Sequence, residues 1–337
     1  MIHEATETLS RKIDLSYSQM EAVMEEIMTG KAQTAEIVSF LTALNHKGET
    51  LDEIIAAVKV MRGHATKVRV NKDVILDTCG TGGDVSHTFN ISTISAIIAA
   101  AAEVTIAKHG NRSVSSKCGS ADLLESLGLN LELSPQKVEE CINEVGFGFI
   151  FAQQFHRSMK HAAPVRRELG IRTVFNILGP LTNPAGAQAQ LLGVFDEKLT
   201  ETMAHVLKNL GSSEAMVVHG MDGLDEISIS GKTKISHLKD GKIRTYFIEP
   251  ADFSMNEGNK EELVVHGIEE GKLLAESILG GDEAGTRRNI VLLNAAAAIM
   301  LGKKAKDMKE GIRVASEVLS SGKAMKKLKA IIEFSRK

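Results

Sequence analysis

The first seventy residues carry apolar positions at helical spacing. Two segments, 16–27 and 50–61, each begin with a Ser or Thr followed three residues later by Gln or Glu, the pattern of a capping box. Apolar residues then recur every three to four positions, which predicts amphipathic helices. Short helices of this kind cannot bury their apolar faces alone. We therefore predict a small helical domain or a dimer surface at this end of the chain.

From about residue 73 the pattern changes to short apolar runs that alternate with helical segments. Parallel strands are predicted at 74–76, 104–107, 148–151, 191–195 and 215–218, and later strands, whose antiparallel pairing is left open, at 227–230 and 243–248. Strands that alternate with helices predict a mostly parallel sheet with helices on both faces. Between 156 and 184 the pattern is helical and polar again. The predicted fold class is therefore α/β, with a separate helical part.

Composition narrows the class of protein. The 337 residues have a net charge of −3 and no dense basic run, which argues against nucleic acid as the main partner. Three cysteines without a Cys-x-x-Cys pair suit a reducing compartment. The chain shows neither an apolar run of membrane-spanning length nor a basic-then-apolar leader. We expect a cytoplasmic protein that does not bind a membrane.

A glycine-rich segment, Asp-Thr-Cys-Gly-Thr-Gly-Gly-Asp at 77–84, lies between a predicted strand and a long Ala- and Ile-rich helix. That arrangement presents backbone N–H groups to a phosphate. The segment is neither a Walker A loop nor a dinucleotide fingerprint. An ordinary tight turn between strand and helix stays open as the alternative. Because Asp84 would repel a bare phosphate, we expect a cation or a ligand hydroxyl beside it.

Two more polar segments follow predicted strands. Residues 108–116 combine Lys and Arg with Ser and Asn, which suits a polyanion, although a solvated basic turn is the alternative. Asp225 and Glu226 offer the hard oxygen ligands that Mg²⁺ takes, although adjacent acids in a loop are often only solvated. Ligands of parallel sheets bind beyond the carboxyl ends of the strands. We therefore predict one site at that edge.

Arg166 follows Pro164 and could meet a ligand carboxylate or form a salt bridge with Glu168. The histidines lack zinc-site spacing, and no nucleophile elbow is present. Covalent catalysis is therefore disfavoured.

Taken together, segments 77–84, 88–93, 108–116 with 119–122, 159–184 and 217–226 resemble the anthranilate phosphoribosyltransferases of tryptophan biosynthesis. The resemblance implies transfer of the phosphoribosyl group of 5-phosphoribosyl 1-diphosphate (PRPP) to the amine of anthranilate, with release of pyrophosphate, the second step from chorismate to tryptophan. It implies a helical domain at 1–71 with about 162–186, an α/β domain at 72–161 and 187–337, and a homodimer formed through the helical domain.

The resemblance also implies the site residues. Contacts with PRPP are implied for Gly80, Gly83, Asp84, Thr88, Asn90, Ile91, Ser92, Thr93, Lys108, His109, Gly110, Asn111, Arg112, Ser113, Val114, Ser115, Ser116 and Ser120. Contacts with anthranilate are implied for Gly80, Asn111 and Arg166. Ser92, Asp225 and Glu226 match the Mg²⁺ positions, and two ions are expected.

The chemistry of these residues agrees with the implied reaction. An aromatic amine is neutral at pH 7, so no strong general base is needed. We expect the reaction to depend on stabilising the charge of the departing pyrophosphate and on positioning the two substrates. Lys108 and Arg166 would support these effects, and no single residue is expected to be catalytic. Cys118, Gln153 and Arg157 depart from the residues common in the family and bear on substrate selectivity.

Three other functions compete with this interpretation. A pyrimidine nucleoside phosphorylase shares the architecture and a Thr-Gly-Gly loop, but it has no diphosphate to bind through Mg²⁺. The other common class of phosphoribosyltransferases needs an acidic pair followed by a Thr-Thr-Gly-x-Thr loop, which the sequence lacks. A catalytically silent relative would show eroded acidic and glycine positions, and these are intact.

Overall fold

The helices predicted near the N-terminus form in the structure, a computed structural model that describes residues 1–82, 88–113 and 118–337. They are α1 (Ile2–Ser10), α2 (Tyr17–Met28), α3 (Thr34–Lys47) and α4 (Leu51–His64). Both predicted capping boxes are present, since the Ser16 and Thr50 hydroxyls accept the N–H groups of Gln19 and Glu53. Sequence and structure therefore agree on where these two helices start.

The helical unit comprises residues 1–67 and 152–184. Its later helices are α8 (Ala152–Phe155), α9 (Ala163–Leu169) and α10 (Val174–Leu178), with 3-10 turns at Arg157–His161 and Gly179–Leu181. Helix α2 packs on α4, and α1 packs on α3, around fully buried residues such as Met24 and Phe40. The buried carboxylate of Glu53 is paired with Lys47 at 2.8 Å, so its charge is compensated inside the bundle.

The α/β unit comprises residues 68–151 and 185–337. Its strands are β1 (Leu76–Gly80), β2 (Ile106–Gly110), β3 (Phe147–Phe151), β4 (Ala189–Gly193), β5 (Glu214–Gly220), β6 (Thr233–Lys239) and β7 (Lys242–Ile248). Its helices are α5 (Ile91–Ala101), α6 (Ser120–Ser126), α7 (Pro135–Val145), α11 (Leu199–Asn209), α12 (Ile268–Gly280), α13 (Gly285–Leu301), α14 (Met308–Ser320) and α15 (Lys323–Ser335), with 3-10 turns at Pro250–Phe253 and Lys260–Leu263.

The sheet has the order β3-β2-β1-β4-β5-β6-β7. Strands β1 to β5 pair in parallel, and β6 and β7 are added antiparallel at one edge. The predicted class, a helical domain with a mostly parallel α/β domain, is therefore confirmed. No helix in the described part of the chain is long and apolar enough to cross a membrane.

Strands β1 and β2 run further into the polar segments than the apolar runs predicted. They were expected at 74–76 and 104–107, but they end at Gly80 and Gly110. The reason is ladder pairing, because Gly80 pairs with Gly193 and Gly110 pairs with Phe151. Neighbouring strands bind the backbone of these polar residues, whatever their hydropathy. Residues 77–80 and 108–110 therefore belong to the sheet instead of to loops.

The strand predicted at 227–230 is wrong, and β6 begins instead at Thr233. The backbone of Ile227 bonds to the side-chain amide of Asn294, which accepts its N–H and donates to its carbonyl. The N–H of Ser228 donates to the hydroxyl of Thr233 at 2.9 Å. Side chains therefore bind the backbone groups that a neighbouring strand would otherwise bind.

Candidate active site

Four neighbouring strands, β2, β1, β4 and β5, end in glycine, at Gly110, Gly80, Gly193 and Gly220. A side chain at these positions would collide with the polar segments that cover the strand ends. A Cβ on Gly193 would lie 1.6 Å from the carbonyl oxygen of Asp225, and a Cβ on Gly80 would lie 2.2 Å from the Asp225 carboxylate. The glycines thus let the acidic loop lie directly on the carboxyl edge of the sheet.

Backbone N–H groups from two different segments bind the acidic pair. The N–H of Gly82 donates to Oδ2 of Asp225 at 2.8 Å, and the N–H of Ser92 donates to Oε1 of Glu226 at 3.2 Å. Ser92 lies in the first turn of α5, where the helix dipole favours a negative charge. The structure therefore brings the three residues expected at the metal site, Ser92, Asp225 and Glu226, to one place.

Residues that the sequence did not single out support this acidic loop. Ser228 donates to the Asp222 carboxylate at 2.6 Å, and the Lys260 ammonium donates to the carbonyl of Asp222 at 2.7 Å. Asn294 fixes Ile227 from helix α13. Asp222 precedes the acidic pair in the same polar segment, and this position was the one feature of the sequence that could have indicated its role. Nothing in the sequence around Lys260 or Asn294 indicates that these residues support the acidic loop.

Lys108 lies in β2 and is 1% exposed, whereas the sequence suggested an accessible strand-end segment. Its ammonium donates to the carbonyl of Thr78 and to Oγ of Ser92, the latter at 3.3 Å. Burial lowers the pKa of Lys108, and the nearby carboxylates of Asp77 and Glu226 oppose that shift. Lys108 therefore connects the start of α5 to β1 through its hydrogen bonds.

The residues after Lys108 lie along β2 and over the start of α6. His109 is buried, and its backbone N–H donates to the Asp77 carboxylate at 3.1 Å. The carbonyl of Asn111 accepts from the Ser120 hydroxyl at 3.3 Å. A Cβ on Gly110 would lie 2.3 Å from that same hydroxyl oxygen. The structure thus brings Gly110, Asn111 and Ser120 together.

Arg112 is engaged within the protein. Its guanidinium donates to Asp122 at 3.0 Å and to Glu125 at 2.6 Å, and it lies 5.7 Å from the ring centre of Phe151. The N–H of Ser113 also donates to Asp122, at 2.9 Å. These bonds fix residues 112–113 against α6, and a diphosphate at Arg112 would compete with the two carboxylates.

Two buried polar side-chain atoms lie at the start of α5. Oδ1 of Asn90 and Oγ1 of Thr93 are buried and have no hydrogen-bond partner within residues 1–82, 88–113 and 118–337. Buried polar atoms are normally hydrogen-bonded, so a ligand group that reaches them would satisfy both. Thr88 and Ile91 flank them, with Thr88 bridged to Val264 and Ile91 buried at the first position of the helix.

The acidic pair and Ser92 form the candidate Mg²⁺ site. Their oxygen atoms are the hard ligands that this ion takes. The described residues contain no group of three or more His, Cys, Asp or Glu side chains that could hold a metal ion. The donor set therefore fits a Mg²⁺ site in which water and substrate phosphates supply most of the ligands.

The predicted contacts at Gly83, Asp84, Val114, Ser115 and Ser116 lie outside the described residues. Arg166 lies in α9 of the helical unit, and its guanidinium is 5.5 Å from the ring centre of Phe175. Burial lowers its pKa. Gln153 and Arg157 lie in α8 and in the 3-10 turn after it.

Family profiles cover both parts of the chain. Residues 3–65 match "Glycosyl transferase family, helical bundle domain", and residues 72–325 match "Glycosyl transferase family, a/b domain". An anthranilate phosphoribosyltransferase of Alkaliphilus metalliredigens is 53% identical over 336 residues, which cover 100% of this chain and 99% of that relative. This chain belongs to the anthranilate phosphoribosyltransferase family.

Solved structures of the anthranilate phosphoribosyltransferase family have the same fold. The Thermus thermophilus enzyme matches with a TM-score of 0.93 and 42% identity over 99% of both chains. The Saccharomyces cerevisiae enzyme in complex with PRPP and Mg matches at 0.90 and 30% identity, over 99% of this chain and 98% of that chain. The yeast complex with 4-fluoroanthranilate matches with the same values. The resemblance seen in the sequence is confirmed, and the comparisons favour the transferase over the nucleoside phosphorylase.

Proposed function

We propose that this chain transfers the phosphoribosyl group of PRPP to the amine of anthranilate, giving N-(5-phosphoribosyl)anthranilate and pyrophosphate. One observation supports this proposal most strongly. Two carboxylates, Asp225 and Glu226, are fixed by backbone N–H groups at the edge of the sheet, beside the start of α5. This is a site for a divalent cation with its anionic ligand, in a chain that belongs over its full length to this family.

Ser92, Asp225 and Glu226 would hold Mg²⁺, and we propose two ions, as the sequence resemblance implies. When bound there, Mg²⁺ supplies positive charge that neutralises the diphosphate. The phosphoribosyl part would bind along 80–93, with further contacts at 108–116 and Ser120. The buried oxygens of Asn90 and Thr93 support this placement, since each can accept a hydrogen bond from a ligand hydroxyl.

The protein's own contribution is positioning and electrostatics. The side-chain nitrogen of Lys108 donates to the Ser92 hydroxyl, and the first turn of α5 adds backbone N–H groups. The amine of anthranilate carries a lone pair at pH 7, so the chain needs no strong base to start the attack. Placing two reactants together can supply up to roughly 7–11 kcal/mol of the barrier.

Gly80, Asn111 and Arg166 are the proposed anthranilate contacts, with Arg166 on the carboxylate. Although burial lowers its pKa, an arginine guanidinium stays protonated at physiological pH. Its fork of N–H donors matches a carboxylate in two parallel bonds. Asn111 is exposed beyond β2, where a side chain can reach a ligand.

The sequence resemblance also supports a homodimer formed through the helical domain, and the cysteine pattern supports a cytoplasmic location. Light scattering on a variant with disrupted helices before residue 63 tests the dimer. A dimer that survives this change would place the interface elsewhere.

The activity is tested by the loss of anthranilate fluorescence with the purified protein, PRPP and Mg²⁺, repeated with EDTA. The expected result is an EDTA-sensitive loss with pyrophosphate appearing in step. A flat trace with folded protein would refute the proposal, and turnover of thymidine or uridine with phosphate would then favour the phosphorylase.

A further inference from the structure

Asn294 is a fully buried polar residue in the middle of α13. Its amide nitrogen donates to the carbonyls of Ile227 and Ile290, both at 2.9 Å, and its oxygen accepts the N–H of Ile227 at 3.0 Å. Two of these three bonds go to the backbone of one residue, 67 positions away in the sequence. The amide therefore binds Ile227 as a neighbouring strand would.

Ile227 directly follows Glu226, whose carboxylate accepts the N–H of Ser92 in α5. Helices α5 and α13 pack together, and the Ser95 hydroxyl donates to the carbonyl of Val291 in α13 at 3.3 Å. One helix, α13, thus contacts both α5 and the backbone beside the acidic pair. The relative placement of Glu226 and Ser92 consequently depends on how α13 holds Ile227.

We propose that Asn294 is a positioning residue for the acidic pair. By fixing Ile227, it holds Glu226 at the start of α5 and Asp225 beside Gly82. It thereby sets the affinity of the site for a divalent cation together with PRPP. Asn294 is buried beneath the loop and acts through Ile227. The inference rests on the proposed function for the identity of the anionic ligand. It assigns a specific task to the C-terminal third of the chain.

Three variants separate positioning from packing. Asn294→Leu keeps a similar volume and removes all three bonds, which leaves buried backbone groups of Ile227 unpaired. Asn294→Asp keeps an acceptor for the Ile227 N–H and, when ionised, loses both donated bonds. Ile299→Ala is the matched control, because it opens a cavity at another fully buried position of the same helix.

Binding of Mn²⁺ in the presence of PRPP, followed by the Mn²⁺ EPR signal, gives a readout besides turnover. We expect the apparent Kd for Mn²⁺ to rise at least about tenfold in Asn294→Leu, less in Asn294→Asp, and less than about twofold in the control. The KM for PRPP should rise with it, whereas the KM for anthranilate should change little. Hydrogen exchange of the peptide that covers 224–230 should accelerate in both Asn294 variants and stay protected in the control.

The Asn294→Leu variant is measured under conditions in which it is folded. The proposal is overturned if this variant matches Ile299→Ala in Mn²⁺ affinity and in hydrogen exchange of residues 224–230. If Asn294→Leu does not fold, Asn294→Asp decides by the same comparison. Failure of the proposed function is a separate outcome, because it would appear as absent turnover in the unsubstituted protein. The exchange of 224–230 would still show whether Asn294 holds the loop.

Discussion

Replacing Gly193 with Ala tests whether the close approach of the acidic loop to β4 matters for activity. Gly193 does not have a positive φ, so alanine can adopt its backbone conformation. The added Cβ, however, would lie 1.6 Å from the carbonyl oxygen of Asp225 and 2.5 Å from its carbonyl carbon. The carbonyl of Gly193 also accepts the N–H of Thr81 at 2.9 Å. The methyl group therefore displaces the acidic loop from a strand end whose backbone also binds the glycine-rich segment.

The size of the effect follows from this geometry. Real Cβ contacts below 3.0 Å are essentially absent, so the Asp225 backbone must recede by about 1.4 Å. A movement of that size breaks the 2.8 Å bond between Gly82 and the Asp225 carboxylate. Misplacement by about 1 Å can cost roughly 10²-fold in rate, and overpacking typically costs about 1–3 kcal/mol of stability. We expect kcat/KM to fall at least about 10²-fold while the protein stays folded.

The assay is anthranilate fluorescence at saturating Mg²⁺, with urea unfolding measured in parallel. Gly231→Ala is the matched control, since its added Cβ meets no atom within 4 Å and its φ is also not positive. It should keep normal activity. If Gly193→Ala retains kcat/KM within about threefold of that control, the loop does not depend on this approach and the reasoning is wrong.

Three further predictions concern other residues. Replacing Asp225 and Glu226 together with Ala should lower Mg²⁺-dependent turnover at least about 10²-fold; near-normal activity in the fluorescence assay would remove them from the metal site. Arg166→Ala should raise the KM for anthranilate about tenfold or more and leave the KM for PRPP nearly unchanged; an unchanged KM for anthranilate would place its carboxylate elsewhere. Burial, with a smaller effect of Lys67, lowers the pKa of His156 to about 4 from 6.5. The unfolded chain therefore binds more protons between these values, so the contribution of His156 is complete above pH 6.5 and decreases as the pH falls towards 4. The loss amounts to about 2 kcal/mol between pH 7 and 5. Urea unfolding at both pH values should show a smaller loss in His156→Gln, and equal losses in both proteins would contradict the assignment.

Local signals in the sequence determined much of this protein. Hydroxyl caps with helical spacing predicted α2 and α4, and the alternation of apolar runs with helices predicted a mostly parallel sheet. The polar segments at the predicted strand ends indicated where a site would form. Such signals depend on neighbouring residues in the chain, so they can be read without knowing the tertiary structure.

Pairing between distant segments decided the rest. The ends of β1 and β2 depend on ladders with β4 and β3, so hydropathy placed those strands too early. The sequence suggests that Lys108 is a surface cation, but in the structure the sheet and α5 enclose it. The strand predicted at 227–230 does not form, because the backbone of Ile227 bonds to the side chain of Asn294, 67 residues further along the chain. Each of these outcomes depends on which distant groups complete the hydrogen bonds of a buried backbone, and only the folded chain specifies those partners.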